Sequence, residues 1–264
     1  MTWVLVLAVT AFLSLSMMLA WAIQRSLRNA GMVDVVWTFA LGLAGIFYAL
    51  APVPDVEWPG TRQILVALLA GLWSARLGLH ILARARKGSE DARYAHFRQE
   101  WGAGFERRMF GFLQIQAAAA AFLALSMLLA ARNPAPLGWR DAAALVIMLI
   151  AIGGEALADA QLRRFRADPS NKGQICDTGL WGLSRHPNYF FEWLGWLAYP
   201  LFAISAVHGW GWLALSAPAF MYWLLVYVSG IPPLEAQMAR SRGDAWTAYV
   251  ARTRAFLPLP KGNS

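Results

Sequence analysis

Arg185, His186, Asn188 and Glu192 stand close together in the run Leu180-Trp181-Gly182-Leu183-Ser184-Arg185-His186-Pro187-Asn188-Tyr189, where a basic loop gives way to an apolar stretch. A guanidinium, an imidazole, an amide and a carboxylate at such a boundary are expensive unless they bind a polar ligand or each other. Pro187 suits the first turn of a helix, because its missing N–H is no loss there. The free N–H groups of that turn favour anions. A capped helix start with an interfacial aromatic explains Pro187 and Tyr189; a ligand explains His186 and Glu192 as well. Upstream, Glu155, Asp159, Arg163 and Arg166 recur at spacings of four, four and three, which puts them on one helical face. The lower part of that face reads in two ways. It is a ladder of internal ion pairs, or an Arg pair that grips phosphate while the acid holds a ribose hydroxyl.

Further candidates are more scattered. Arg76 follows Trp73 in an apolar stretch and lies about two turns deeper than Arg84 and Arg86, so it is expected to face a bundle while those two snorkel. The segment Glu90-Asp91-Ala92-Arg93-Tyr94 is polar enough to fold over a ligand. Asp34 opens another apolar stretch. In headgroups it is a solvated acid; in an apolar pocket it would hold its proton and could donate it. Glu235 follows Pro232-Pro233, and Tyr249 lies in the same tail. No Gly-rich phosphate loop and no Cys/His zinc spacing is present, so no metal is expected, and a nucleotide would be held by Arg and helix ends.

The elements that must position these groups are membrane helices. The chain has 264 residues, 58% of them hydrophobic and only 14% charged, with mean hydropathy +0.44. That is more apolar than a soluble domain. Seven apolar stretches are expected to span, at about 2–23, 33–51, 62–83, 109–131, 141–160, 188–207 and 210–230. Residues 1–22 lack a basic start and are long enough to cross, so they read as a span rather than a leader. The last two stretches, parted by 206–209, form a tight hairpin. Nineteen of the 23 Lys and Arg fall in alternate loops and the tail, which predicts the N-terminus outside and the C-terminus in the cytoplasm. Topology thus explains the net charge of +8 better than nucleic acid does. Single Cys176 excludes an internal disulfide. The tail 231–264 reads as an interfacial amphipathic helix that Gly243 breaks.

The order Asp159-x-x-x-Arg163-x-x-Arg166, then Gly179-Leu180-Trp181, Asn188 and Glu192, resembles the steroid 5-alpha-reductase family, in particular its bacterial branch. The resemblance implies one seven-helix membrane domain, with substrate-side helices in 1–131 and cofactor-side helices and tail in 132–264. It implies that NADPH enters from the cytoplasm and is held by Asp159, Arg163, Arg166 and Asn188, with Arg185, His186, Glu192, Glu235 and Tyr249 around it. Arg76, Arg84, Arg86 and Arg93 are further cofactor candidates, the last three for the 2′-phosphate. The family saturates the C=C bond of an enone. Negative charge then builds on the ketone oxygen, where an acid stabilises it. Asp34 stands, by position, where the animal enzymes have a second-span Glu. Trp73 stands where a Tyr is expected, and Tyr94 is the substitute proton donor, since indole cannot release a proton at neutral pH.

Arg185-His186-Pro187-x-Tyr189 with a later Glu and Tyr also occurs in membrane isoprenylcysteine and phospholipid methyltransferases, which bind S-adenosylmethionine. The face of Asp159, Arg163 and Arg166 favours the reductase, because two guanidiniums suit phosphates better than a sulfonium. The expectation is an NADPH-dependent oxidoreductase of the bacterial inner membrane, acting on CH–CH groups of a steroid or similar lipophilic enone that enters from the bilayer. A methyltransferase and a non-enzymatic lipid-binding protein are the alternatives.

Overall fold

In a computed structural model, residues 2–53, 58–86 and 92–260 are described, and all of their regular elements are helical. Among the described residues, six helical stretches are long and apolar enough to cross a membrane: Trp3–Leu27, Ala30–Leu50, Thr61–Ala85, Arg93–Ala131, Trp139–Ala167 and Gly209–Arg252. Many of their apolar side chains, such as Leu7, Leu15, Leu43, Leu68, Ile115 and Val146, are exposed on the protein. Such faces need lipid rather than water. The chain is a multi-pass membrane protein.

Two compact units divide the chain. The first comprises 1–141 and 199–217. Its body is α1 (Thr2–Leu27), α2 (Val33–Leu50), α3 (Thr61–Ala85) and α5 (Phe105–Ala131), with α2 packed on α3 and α5 against α1 and α2. The stretch 84–108, expected as a loop, contains the helix α4 (Ala92–Trp101), which a 3₁₀ turn over Gly102–Gly104 separates from α5. Leu13, Met17, Leu41, Met109, Leu113, Leu123 and Met127 fill the core. One end is fastened by Arg62. Its guanidinium pairs with Asp141 through Nε–Oδ1 at 2.7 Å and Nη2–Oδ2 at 3.0 Å, and donates to the carbonyls of Asn133 and Ala135. Both side chains are under 10% exposed, so each charge depends on the other.

The second unit comprises 142–198 and 218–264. It contains most of α6 (Trp139–Ala167), the single turn α7 (Leu180–Leu183), α8 (Pro187–Trp196) and α11 (Ile231–Arg252). Gly154 and Gly195 let α6 and α8 approach closely, against Phe191 and against Ala151 and Met148. The stretch 188–207, expected as one span, is not one helix. It breaks at Leu197 into α8 and the short α9 (Ala198–Ala203). Pro200 is the reason: it has no N–H for the Trp196 carbonyl, and its ring would press on that group. The stretch 210–230 is likewise uneven. It runs as a 3₁₀ segment (Gly209–Leu215), α10 (Ser216–Trp223) and a π-helical turn (Leu224–Val228). Between the two, Ser205 and His208 form the tight turn expected at 206–209, with the His208 N–H on the Ser205 carbonyl at 3.3 Å. In the tail, α11 kinks at Gly243, whose φ of 50° and ψ of −124° suit only glycine.

Candidate functional site

The motif residues of the second unit gather at the meeting of α6, α7, α8 and α11. Asp159 on α6 is buried, and the Asn188 amide in the first turn of α8 reaches its Oδ1 at 3.5 Å, a long contact. One turn further along α6, Arg163 is exposed and makes no ion pair among the described residues; Arg166 is exposed as well. The rung from Asp159 to Arg163 that the ladder reading would have is therefore not formed. Glu155 is buried deeper on α6. Glu192 is buried on α8 and accepts the Trp196 indole N–H at 2.9 Å, one turn along the same helix.

Arg185 and His186 share one acid. Glu235 Oε1 accepts Arg185 Nε at 2.8 Å and lies 3.1 Å from His186 Nε2. The tail carboxylate thus ties α11 to the start of α8. His186 stacks on Tyr189 with 9° between the rings. Burial pulls the imidazole below its usual value, and the bond to Glu235 opposes that shift in part. Sequence reasoning grouped Glu235 with this site by resemblance; its bridging role between two motif residues came only with the fold.

The Gly179-Leu180-Trp181 segment is a positioning device. Gly179 has φ +60°, and a Cβ there would meet the Gln161 side chain at 2.7 Å. The Leu180 N–H bonds to Gln161 Oε1 at 3.0 Å, and the Trp181 indole bonds to the Ala158 carbonyl at 2.9 Å. Tyr249 is buried and donates to the Trp181 carbonyl at 2.5 Å. Its hydroxyl holds this segment. Sequence reasoning missed Ser184, whose hydroxyl bonds to the carbonyl of Phe256 at 2.9 Å and straps the tail beside the motif. A lone Ser gave no signal for that.

A second polar cluster lies in the first unit. Asp34 is neither a solvated acid nor a carboxyl in an apolar pocket. Arg93 Nη2 is 2.5 Å from its Oδ2, and the Tyr94 hydroxyl donates to its Oδ1 at 2.8 Å. Arg93, expected at a phosphate, is thus committed to Asp34, and its guanidinium also lies over the Tyr94 ring. Gln116 Nε2 reaches the Tyr94 oxygen at 3.5 Å, and the Trp37 indole donates to the Gln116 main-chain carbonyl at 3.1 Å. Gln116 was missed; its only signal is an amide in an otherwise apolar helix. Trp73 is buried on α3, Arg76 is half-buried there, and Arg84 and Arg86 are exposed at its end. Glu90 and Asp91 lie outside the described residues. Among the described residues no group of His, Cys, Asp and Glu could hold a metal ion.

A protein of Schizosaccharomyces pombe, described as "Uncharacterized protein C594.04c", is 28% identical over 92% of this chain and 76% of the relative. No solved structure matches the chain significantly. A family described as "Protein of unknown function (DUF1295)" matches residues 20–253, which include every candidate site residue. The chain belongs to that family.

Proposed function

We propose that the protein is a reductase that uses NADPH to saturate the C=C bond of an enone in a steroid or similar lipophilic ketone. The observation that carries this reading is the Asp159–Asn188 contact beside Arg163, an exposed guanidinium with no ion pair among the described residues. A buried carboxylate, an amide at a helix start and exposed guanidiniums fit a dinucleotide: the acid accepts ribose hydroxyls, and Arg163 and Arg166 take phosphate oxygens. Glu235 fixes Arg185 and His186 so that the first turn of α8 keeps one orientation. When bound, NADPH supplies a hydride.

The resemblance, rather than the packing of the two units, suggests Tyr94 as the acid. The Tyr94 hydroxyl donates to Asp34 Oδ1, and Arg93 holds the other carboxylate oxygen in place. A ketone oxygen brought to Tyr94 takes over the hydrogen bond, and the phenol stabilises the negative charge that builds there. Gln116 holds the phenolic oxygen from another side. Asp34 therefore orients the acid rather than serving as the acid.

In the bilayer, we place the loops richest in Lys and Arg in the cytoplasm and the N-terminus outside, in the inner membrane of a bacterium. The sixth of seven crossings is then the broken pair α8 and α9. The test is NADPH oxidation, followed by its absorbance, by purified protein given enone steroids in detergent. Turnover that Tyr94→Phe abolishes supports the reading. Thermal stabilisation by S-adenosylmethionine, with none by NADPH, would replace it with the methyltransferase.

A further inference from the structure

Beside the start of α8, on the side where the tail packs, an open groove of about 400 Å3 is lined by the tail and by Arg185. Its walls are Tyr222, Val250, Phe256 and Leu257, and its rim carries Arg185 and Arg254. Aromatic packing builds the floor. Phe256 meets Tyr222 edge-on at 5.3 Å, Trp193 at 5.7 Å and Phe190 at 5.8 Å. Arg185 fastens the tail here. The Arg185 N–H bonds to the Arg254 carbonyl at 2.8 Å, and Arg185 Nη1 bonds to the Thr253 carbonyl at 2.5 Å.

The two rim cations differ. Arg185 is buried and bound to Glu235, whereas Arg254 is exposed and makes no ion pair among the described residues. Its backbone is fixed, so the guanidinium is displayed at a set place beside an apolar wall. Exposed Leu257 belongs to that wall, and Tyr222 meets exposed Tyr227 at 6.0 Å, in the π-helical turn that ends the last apolar stretch. Such turns recur at functional sites. One free cation above a mainly apolar, open groove at the end of a membrane stretch complements an anionic head carried on an aliphatic chain. A nucleotide is less well served: the lining offers no carboxylate for a ribose, and Glu235 is occupied by Arg185 and His186.

We propose that this groove holds an anionic phospholipid of the surrounding bilayer, with its phosphate on Arg254 and one acyl chain along Tyr222, Phe256 and Leu257. The proposal is independent of the reductase reading. Native mass spectrometry of the detergent-purified protein, titrated with phosphatidylglycerol or with phosphatidylcholine of the same chains, tests it. The wild type is expected to retain one phosphatidylglycerol about fivefold more tightly than phosphatidylcholine, the scale of one Arg at an anionic surface, and Arg254→Gln to erase that preference. Leu257→Asp is expected to weaken both lipids. Glycerol phosphate without chains is expected not to compete. Equal retention of the two lipids by the wild type would overturn the proposal, as would an undiminished preference in Arg254→Gln. Full competition by glycerol phosphate would make it a site for free anions instead. A loss of NADPH affinity in Arg254→Gln, with lipid retention unchanged, would assign the groove to the nucleotide.

Discussion

Tyr94 has one proton to give, and its bond to Asp34 shows where that proton is kept. Removing the hydroxyl leaves the ring packing intact, including the edge contact with Phe97 at 6.3 Å. Tyr94→Phe is therefore expected to lower turnover by about 10²–10⁴-fold, the usual range for an acid catalyst, while NADPH affinity stays within about twofold. Full activity in that variant would remove Tyr94 from the chemistry. His186 gives a pH signature. Its imidazole titrates below the usual value in the folded protein because it is buried, so the unfolded chain binds the proton more readily. Stability from this group is complete above about pH 6.5, the unfolded value, and is lost as pH falls below it. Melting temperature is expected to drop on acidification from neutral pH towards 5, and His186→Gln to flatten that slope; parallel slopes in the two proteins would show that the imidazole is not the cause. At this scale the sequence revealed members rather than partnerships. Asp34, Arg93 and Tyr94 were each singled out, but the acid lies about 60 positions before the other two, and only the packing of α2 with its neighbours makes them one cluster.

Element boundaries followed the local chemistry where that chemistry was strong. Gly243 breaks α11 as its position in an amphipathic run suggested, and Pro187 opens α8. Pro200 was the neglected signal. Hydropathy over 188–207 is continuous, so composition suggested a span, while the missing N–H divides it into α8 and α9. Helix α4 was missed for the opposite reason: its polar, basic residues look like a loop, although nothing before Gly102 stops a helix. The Gly243 kink offers a clean test, because no atom lies within 4 Å of where its Cβ would stand. Gly243→Ala is expected to cost about 1–3 kcal/mol through backbone strain alone, read as a lowered melting temperature. An unchanged melting temperature would mean that the two halves of α11 straighten without penalty.

For the whole molecule, the proposed topology rests on charge asymmetry. Cys176 is the single cysteine, so a Cys176→Ala background reports one introduced thiol at a time. Lys172→Cys is expected to react with a membrane-impermeant maleimide only after cells are opened, and Val207→Cys in intact cells. The reverse pattern would invert the orientation and put the Asp159, Arg163 and Asn188 cluster on the side where NADPH is absent. The ion pair of Arg62 and Asp141, which fastens the first unit, was not legible in advance. Each residue looked like an ordinary helix-start charge, and the two lie 79 positions apart. If the polar mouth of the second unit grips a phosphorylated redox carrier, the purified protein binds NADPH. Calorimetric titration in detergent is expected to show saturable binding, weakened in Arg163→Ala by about 1.5–3 kcal/mol, the scale of a charge-assisted bond, and unchanged in Tyr94→Phe. No heat and no stabilisation from NADPH, or equal affinity in Arg163→Ala, would contradict it.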